Sequence, residues 1–326
     1  MRLLGTSPAD LQIAADAVRD GKLVAIPTET VYGLGGNAWD PTALAKIFAA
    51  KDRPSFDPLI VHVADPAAAA EVADFSPRYA KELAERFWPG PLTLVLPKRE
   101  RVPELATSGL PTVAVRCPAH PVAREIIRLA GVPVAAPSAN PFGRLSPTRA
   151  SHVVDGLGER VDYVVDGGPC SLGVESTVLD LSESPPLVLR PGGLAFELLR
   201  ELVPGLELFD RATDSPRAPG QLPSHYAPTR PLRLAESGRL AEARPRGRAA
   251  ALCFGAASAA AAEGRGYFAR VVDLSPGGDA LEAAAALFYR LHELDLGDWD
   301  ELWAEKLPAE GIGRAVNDRL YKASQK

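Results

Sequence analysis

Short apolar runs punctuated by proline and glycine recur along the first two thirds of the chain. Leu23-Val24-Ala25-Ile26 stops at Pro27, and the run 59–63 follows Pro58. Each is bounded by turn residues and is too short for a buried helix, so each reads as a strand. Residues 92–96, 112–116, 133–136, 161–165, 176–181 and 187–190 repeat the pattern. Between the runs one device announces helices, a capping residue followed by proline: Ser7-Pro8, Asp40-Pro41, Asp65-Pro66, Ser76-Pro77, His120-Pro121 and Ser146-Pro147. The helix after Ser7 carries Leu11, Ala14, Ala17 and Val18 on one face, and the helix after Asp40 carries Leu44, Ile47 and Phe48.

This alternation predicts an α/β fold. The late strands follow one another with little helix between them, which predicts a mixed rather than a purely parallel sheet. Residues 210–229 hold turn residues and no apolar periodicity, and read as a linker between a domain at 1–209 and a smaller one at 230–326. In the smaller domain strands are expected at 232–234, 249–254 and 267–274, and helices at 279–294 and 313–323. The alanine-rich stretch 256–262 reads as compositional bias, with no element assigned to it.

At 326 residues the chain is long enough for two cores, and 46% hydrophobic with 24% charged residues is globular composition. The net charge of −5 argues against a broad electrostatic grip on nucleic acid, while leaving room for a local basic cavity. Cys117, Cys170 and Cys253 are far apart and include no CxxC, so neither a disulfide framework nor a zinc site is expected. MRLLGTSPAD lacks an apolar signal core and no run reaches membrane-spanning length, so a reducing, cytoplasmic location is expected.

The chemistry concentrates between Leu23 and Val63. A strand end, a helix end and a second strand bring together a loop of hydroxyls and glycines (28–36), Lys51, Arg53 and His62. Two cations beside hydroxyls suit a nucleotide phosphate. A solvated helix end next to a core histidine would read the same way, and the residues alone leave both open. Thr30, Arg116, Ser138 and Arg190 stand at or just beyond strand ends, where open α/β sheets bind ligands. Arg116 ends an apolar strand and needs an anion, either a ligand or an Asp or Glu of the same domain. Pro137-Ser138-Ala139-Asn140 and Glu175-Ser176-Thr177 are compact donor sets that would also serve as plain turns. His120, His152 and His292 read as caps or surface residues. No phosphate loop, dinucleotide fingerprint or GxSxG elbow occurs, so catalysis would rest on positioning and electrostatics.

Several blocks in this order carry a resemblance: PTETVYGLG, KxRP with PLIVHV, RFWPGPLTLVL, VAVRCPAHP, APSAN and GVESTVLDL. Together they resemble the YrdC-type threonylcarbamoyl-adenylate synthases, and PGQLPSHYAP and GIGRAVNDRLYKAS resemble the long, two-domain branch of that family. The resemblance implies a twisted mixed sheet with a concave face and a smaller, Rossmann-like α/β domain after it. It implies that L-threonine, bicarbonate or CO2, and ATP give threonylcarbamoyl-AMP and pyrophosphate, with Mg²⁺ accompanying ATP. The product would pass to a separate transferase acting on tRNA, with tRNA contact indirect or weak and no membrane partner.

Carried over by position, Lys51 and Arg53 are the catalytic cations. Thr30, His62, Arg116, Ala136 and Ser176 form the threonine pocket. Arg53, Asp57, Thr112, Ser138, Asn140, Ser146, Arg190, His225 and Tyr226 hold the nucleotide, and no residue is assigned to a resident metal. Asp57 departs from the Asn or Lys expected there, which leaves the contact from that position open. Two other readings remain: a module for double-stranded RNA or the ribosome using the same cavity, and the carbamoyl-adenylate chemistry of hydrogenase maturation proteins. The latter carry zinc-finger and acylphosphatase modules that this sequence lacks.

Overall fold

A computed structural model describes residues 1–209 and 216–325. The first part of the expected linker, 210–215, lies outside the described residues. Among the described residues eleven strands form one sheet: β1 Arg2–Leu4, β2 Val24–Ile26, β3 Gly33–Asn37, β4 Ile60–His62, β5 Leu92–Pro97, β6 Thr112–Arg116, β7 Val134–Ala135, β8 Tyr163–Val165, β9 Thr177–Asp180, β10 Leu187–Arg190 and β11 Glu207–Leu208. Their order is β1-β8-β2-β3-β7-β4-β6-β5-β9-β10-β11. β4 pairs parallel with β6 and antiparallel with β7, so the sheet is mixed, as the late run of strands predicts.

The capping device works at three sites. Ser7 accepts from the Asp10 N–H, Asp40 from Thr42 and the His120 ring from Val122, each with proline in the first turn. It is weaker elsewhere. Asp65 accepts from the Ala68 N–H but starts only the 3-10 turn Ala67–Glu71. Past Ser76-Pro77 the helix begins at Ala80, and past Ser146-Pro147 it begins at Ala150, because the Ser146 hydroxyl is drawn to Glu175 instead.

The glycine stretch also differs from expectation. Gly33–Asn37 is a strand rather than a loop, antiparallel to β2 and β7. Its glycines permit close packing: a Cβ on Gly35 would stand 3.0 Å from both Val134 Cγ1 and the Val24 carbonyl oxygen.

The second sheet, β12 Leu232–Ala235, β13 Ala249–Cys253, β14 Arg270–Asp273 and β15 Glu301–Glu305, is all parallel in the order β12-β15-β13-β14. β15 escaped the sequence reading because ELWAE carries a charge at each end, yet it lies between β12 and β13 with Glu301 and Glu305 buried. Glu305 accepts from the Phe254 N–H and the Ser258 hydroxyl. The protein's own carboxylate thus occupies the open end of this parallel sheet. The alanine-rich stretch is the helix Ala256–Arg265, whose Ala259 and Ala262 pack on the sheet.

The two domains share a hydrophobic cluster. Val31, Leu145, Val174 and Tyr226 pack with Leu287, Phe288 and Leu291 of the helix Ala280–Asp295. His152 and His292, expected as caps or surface residues, instead stack across this interface with ring centroids 3.9 Å apart. Gly173 fixes the docking distance, because a Cβ there would lie 2.3 Å from the Ala284 carbonyl oxygen. Its φ of +71° also disfavours any L side chain. Gly173→Ala is expected to cost about 1–3 kcal/mol of stability through this clash and strain. Urea denaturation checks it, and an unchanged midpoint and slope would show that the interface tolerates the extra atom.

Candidate active site

The strand ends converge on one cavity. Ten of the residues assigned to substrates line it: Thr30, Arg53, His62, Arg116, Ala136, Ser138, Ser176, Arg190, His225 and Tyr226. Arg116, the last residue of β6, is held on three sides. Its Nη1 donates to Thr30 Oγ1 at 2.9 Å and its Nε to the Gly90 carbonyl at 3.2 Å. Its Nη2 approaches Glu29 Oε1 at 2.7 Å, off the hydrogen-bonding axis. Glu29 is therefore the carboxylate that Arg116 required, and Arg116 keeps Glu29 below its usual pKa against the opposing effect of burial. His62 lies beside this pair. Burial, reinforced by the Arg116 charge, pushes its pKa down to about 3, so the imidazole is neutral at physiological pH.

On another wall Arg190 ends β10. Its Nη2 donates to the carbonyl oxygen and to Oγ of Ser176, at 2.9 and 3.1 Å, and its Nη1 to the Pro219 carbonyl at 3.2 Å. Pro219, Gly220, His225 and Tyr226 form a strap closing this side. Lys322, on the helix Gly311–Ala323, ties the strap down by donating to the Gly220 carbonyl at 2.7 Å. Gly220 has φ +87°, and a Cβ there would stand 2.8 Å from both Arg190 Cδ and the Tyr226 hydroxyl, so glycine is required at this crossing.

Five assigned residues lie off the cavity wall. Lys51 is buried behind it, donating to the Ser138 and Asn140 carbonyls and so fixing the Pro137–Asn140 turn. Burial holds its ammonium well below the usual lysine pKa, and the Arg53 charge adds to this. Asp57 is fully buried and faces Arg53 Nη2 at 2.9 Å, so the departure from Asn or Lys supplies a counter-ion. Asn140 lines the adjoining interdomain crevice together with Arg144, His292 and Asp295. The Ser146 hydroxyl donates to Glu175, which does line the cavity. Thr112 stands at the opposite end of β6, ~13 Å from Arg116 at strand spacing.

Glu29, Glu175, Gly220 and Arg319 complete the site and had no assigned role. Glu29 was legible as the one acid in PTETVYG, next to the expected Thr30. Arg319 gave no signal, because only the docking of two domains brings it to Glu175. Among the described residues five Lys or Arg side chains are buried: Lys51, Arg53, Arg116, Arg190 and Arg319. Three face carboxylates, whereas Lys51 and Arg190 have carbonyl and hydroxyl partners only. That excess of basic side chains over carboxylates suits the region to an anionic ligand. No group of three or more His, Cys, Asp or Glu able to hold a metal occurs among the described residues.

Glu175 gives the site a pH signature. Burial alone would raise its pKa, but the charges of Arg319 and Arg190 and the Ser146 hydrogen bond outweigh it, holding the carboxyl at about 2. A depressed carboxylate contributes stability above its unfolded value and loses it as pH falls through the folded one. The window therefore runs from 4.5 down to about 2. Glu175→Gln should flatten the acid limb of the stability profile there, measured by urea denaturation at stepped pH. An acid limb as steep as that of the parent chain would remove Glu175 from the balance.

Comparison with known proteins gives the family. The Sua5_yciO_yrdC model, described as Telomere recombination, matches residues 16–192. A model described as Threonylcarbamoyl-AMP synthase, C-terminal domain, matches 195–325. A threonylcarbamoyl-AMP synthase of Pyrococcus abyssi is 43% identical over 318 residues, covering 96% of this chain and 94% of that protein. One of Bacillus subtilis is 40% identical over 333 residues, covering 98% and 94%. The crystal structure of Pyrococcus abyssi Sua5 with L-threonine matches at a TM-score of 0.89 and 39% identity, covering 99% of this chain and 98% of that one. With both domains and nearly its whole length matched, this chain belongs to the threonylcarbamoyl-AMP synthase family.

Proposed function

We propose that the cavity joins L-threonine, bicarbonate or CO2, and ATP into threonylcarbamoyl-AMP, releasing pyrophosphate. The observation that carries this reading is one cavity lined by three buried guanidiniums, Arg53, Arg116 and Arg190, with the Thr30 and Ser176 hydroxyls on the same walls. Arg116 would take the threonine carboxylate. Thr30, His62, Ser176 and the backbone at Ala136 would surround its hydroxyl and amine. Buried polar partners for the hydroxyl would reject valine strongly, since valine leaves them unpaired. Ser138, Asn140, Ser146 and Arg190 would hold the nucleotide with His225 and Tyr226 of the strap, and Asp57 would act by setting Arg53. Thr112 would contribute only where the ligand extends along β6.

The threonine amine becomes a carbamate, whose oxygen attacks the α-phosphorus as the bond to pyrophosphate breaks. Lys51 and Arg53 would offset the charge that develops on the phosphates. The donor set fits a Mg²⁺ that arrives on the ATP phosphates rather than in a protein cage, and it would supply further charge neutralisation. The strap would keep water from the mixed anhydride until release. The product would pass to a separate transferase that loads tRNA, with tRNA contact by this chain indirect or weak. Enclosure by the strap argues against duplex RNA as the occupant. Among the described residues no helix is long and apolar enough to cross a membrane.

Three outcomes are expected. Pyrophosphate release from pure protein should require both threonine and bicarbonate, and equal release without threonine would refute the reading. Lys51→Ala or Arg53→Ala, checked for folding by circular dichroism, should lower turnover at least about tenfold, or ~1.4 kcal/mol. His225→Ala/Tyr226→Ala should lower synthesis and raise the share of free AMP. Synthesis at the parent rate with no extra AMP would deprive the strap of its protective role.

A further inference from the structure

Arg319 is 1% exposed on the helix Gly311–Ala323, and its side chain leaves its own domain to reach Glu175 and Tyr226, which line the cavity. Nε donates to Glu175 Oε2 at 2.6 Å, and Nη1 donates to the Pro191 carbonyl at 3.0 Å. Cζ stands 5.1 Å from the centre of the Tyr226 ring, within cation–π range. Glu175 accepts the Ser146 hydroxyl on its other oxygen. One guanidinium therefore touches the carboxylate that orients Ser146, the residue after Arg190, and the ring of the strap.

A buried carboxylate stays ionised only while a cation remains with it. From the first domain Glu175 receives only the through-space charge of Arg190, whose donors go to Ser176 and Pro219, so the bonded counter-ion has to come from elsewhere. The counter-charge is imported from the second domain. Gly173 on the Ala284–Ala285 backbone brings the two together, two residues before Glu175.

We propose that Arg319 is a positioning residue for the nucleotide, supplied by the second domain. It holds Glu175 as a carboxylate aimed at Ser146 and thereby fixes Ser146, Arg190 and Tyr226 for the phosphates. The inference rests on the reading of the cavity as an adenylation site. It differs from an interdomain ion pair that only joins two bodies. A joint would affect both substrates alike, whereas positioning through Glu175 acts on the nucleotide and is relieved once the stranded charge is gone.

The test uses full-length Arg319→Met, Glu175→Gln and the double variant, with affinity for a non-hydrolysable ATP analogue by calorimetry and KM for ATP and for threonine. Arg319→Met should weaken analogue binding and raise the KM for ATP by at least about tenfold, with the KM for threonine changed by less than about threefold. In the Glu175→Gln background the same substitution should cost less than about threefold, because the amide strands no charge and Asp318, the other carboxylate on Arg319, keeps its pair with Lys322. Wild-type analogue affinity in folded Arg319→Met would overturn the proposal. So would a full tenfold loss on adding Arg319→Met to Glu175→Gln, a comparison that stands even where the single Arg319 variant does not fold. If the parent chain binds the analogue yet makes no threonylcarbamoyl-AMP, the functional reading fails while the affinities still decide the role of Arg319.

Discussion

Five positive charges are buried among the described residues, and the cavity is arranged around compensating them. A guanidinium or ammonium removed from water is costly unless anions or carbonyl dipoles replace its hydration. Each of the five buried cations meets that demand differently. Arg53 draws on Asp57 and the carbonyls of its own loop, Arg116 on Glu29, and Arg319 on Glu175. Lys51 and Arg190 are left with carbonyls and hydroxyls. Of these two, Arg190 lines the cavity, where an anionic ligand would complete it.

The same constraint explains the construction around the cavity. The Pro137–Asn140 turn keeps its shape because Lys51 needs the carbonyls of Ser138 and Asn140. The strap lies against the first domain partly because Arg190 takes the Pro219 carbonyl and Lys322 the Gly220 carbonyl. Glycines stand where this network forces backbone and side chains together, at Gly173 and Gly220, and each would meet another group far inside contact distance if it carried a Cβ. The neutral His62 and the acidic Glu175 sit in one cavity because burial, reinforced by Arg116, keeps the first uncharged while the second lies between two arginines.

The second domain has the topology of a small parallel α/β sheet, but its open end is filled by Glu305, bound by the Phe254 N–H and the Ser258 hydroxyl. Its contribution to the described site runs through its outer helices. The helix Ala280–Asp295 presents the apolar surface that Val174 and Tyr226 pack on, and the helix Gly311–Ala323 presents Arg319 and Lys322.

Features that depend on near neighbours in the chain are readable from the residues alone. Apolar runs bounded by proline gave most of the strands, and Ser7, Asp40 and His120 before proline gave helix starts, because caps act within one turn. The ordered motif blocks also identified the family and most of the residues around the cavity. Tertiary structure decided what depends on partners distant in the chain. ELWAE is a central strand only because the sheet supplies partners for Glu301 and Glu305. Ser146 leaves its capping role because Glu175 outbids the helix for its hydroxyl. Above all, counter-ions are chosen in space: Arg116 finds Glu29 across 87 positions, and Glu175 finds Arg319 across 144. Nothing in local propensity encodes such a pairing, since electrostatic energy depends on distance through the fold and not along the chain.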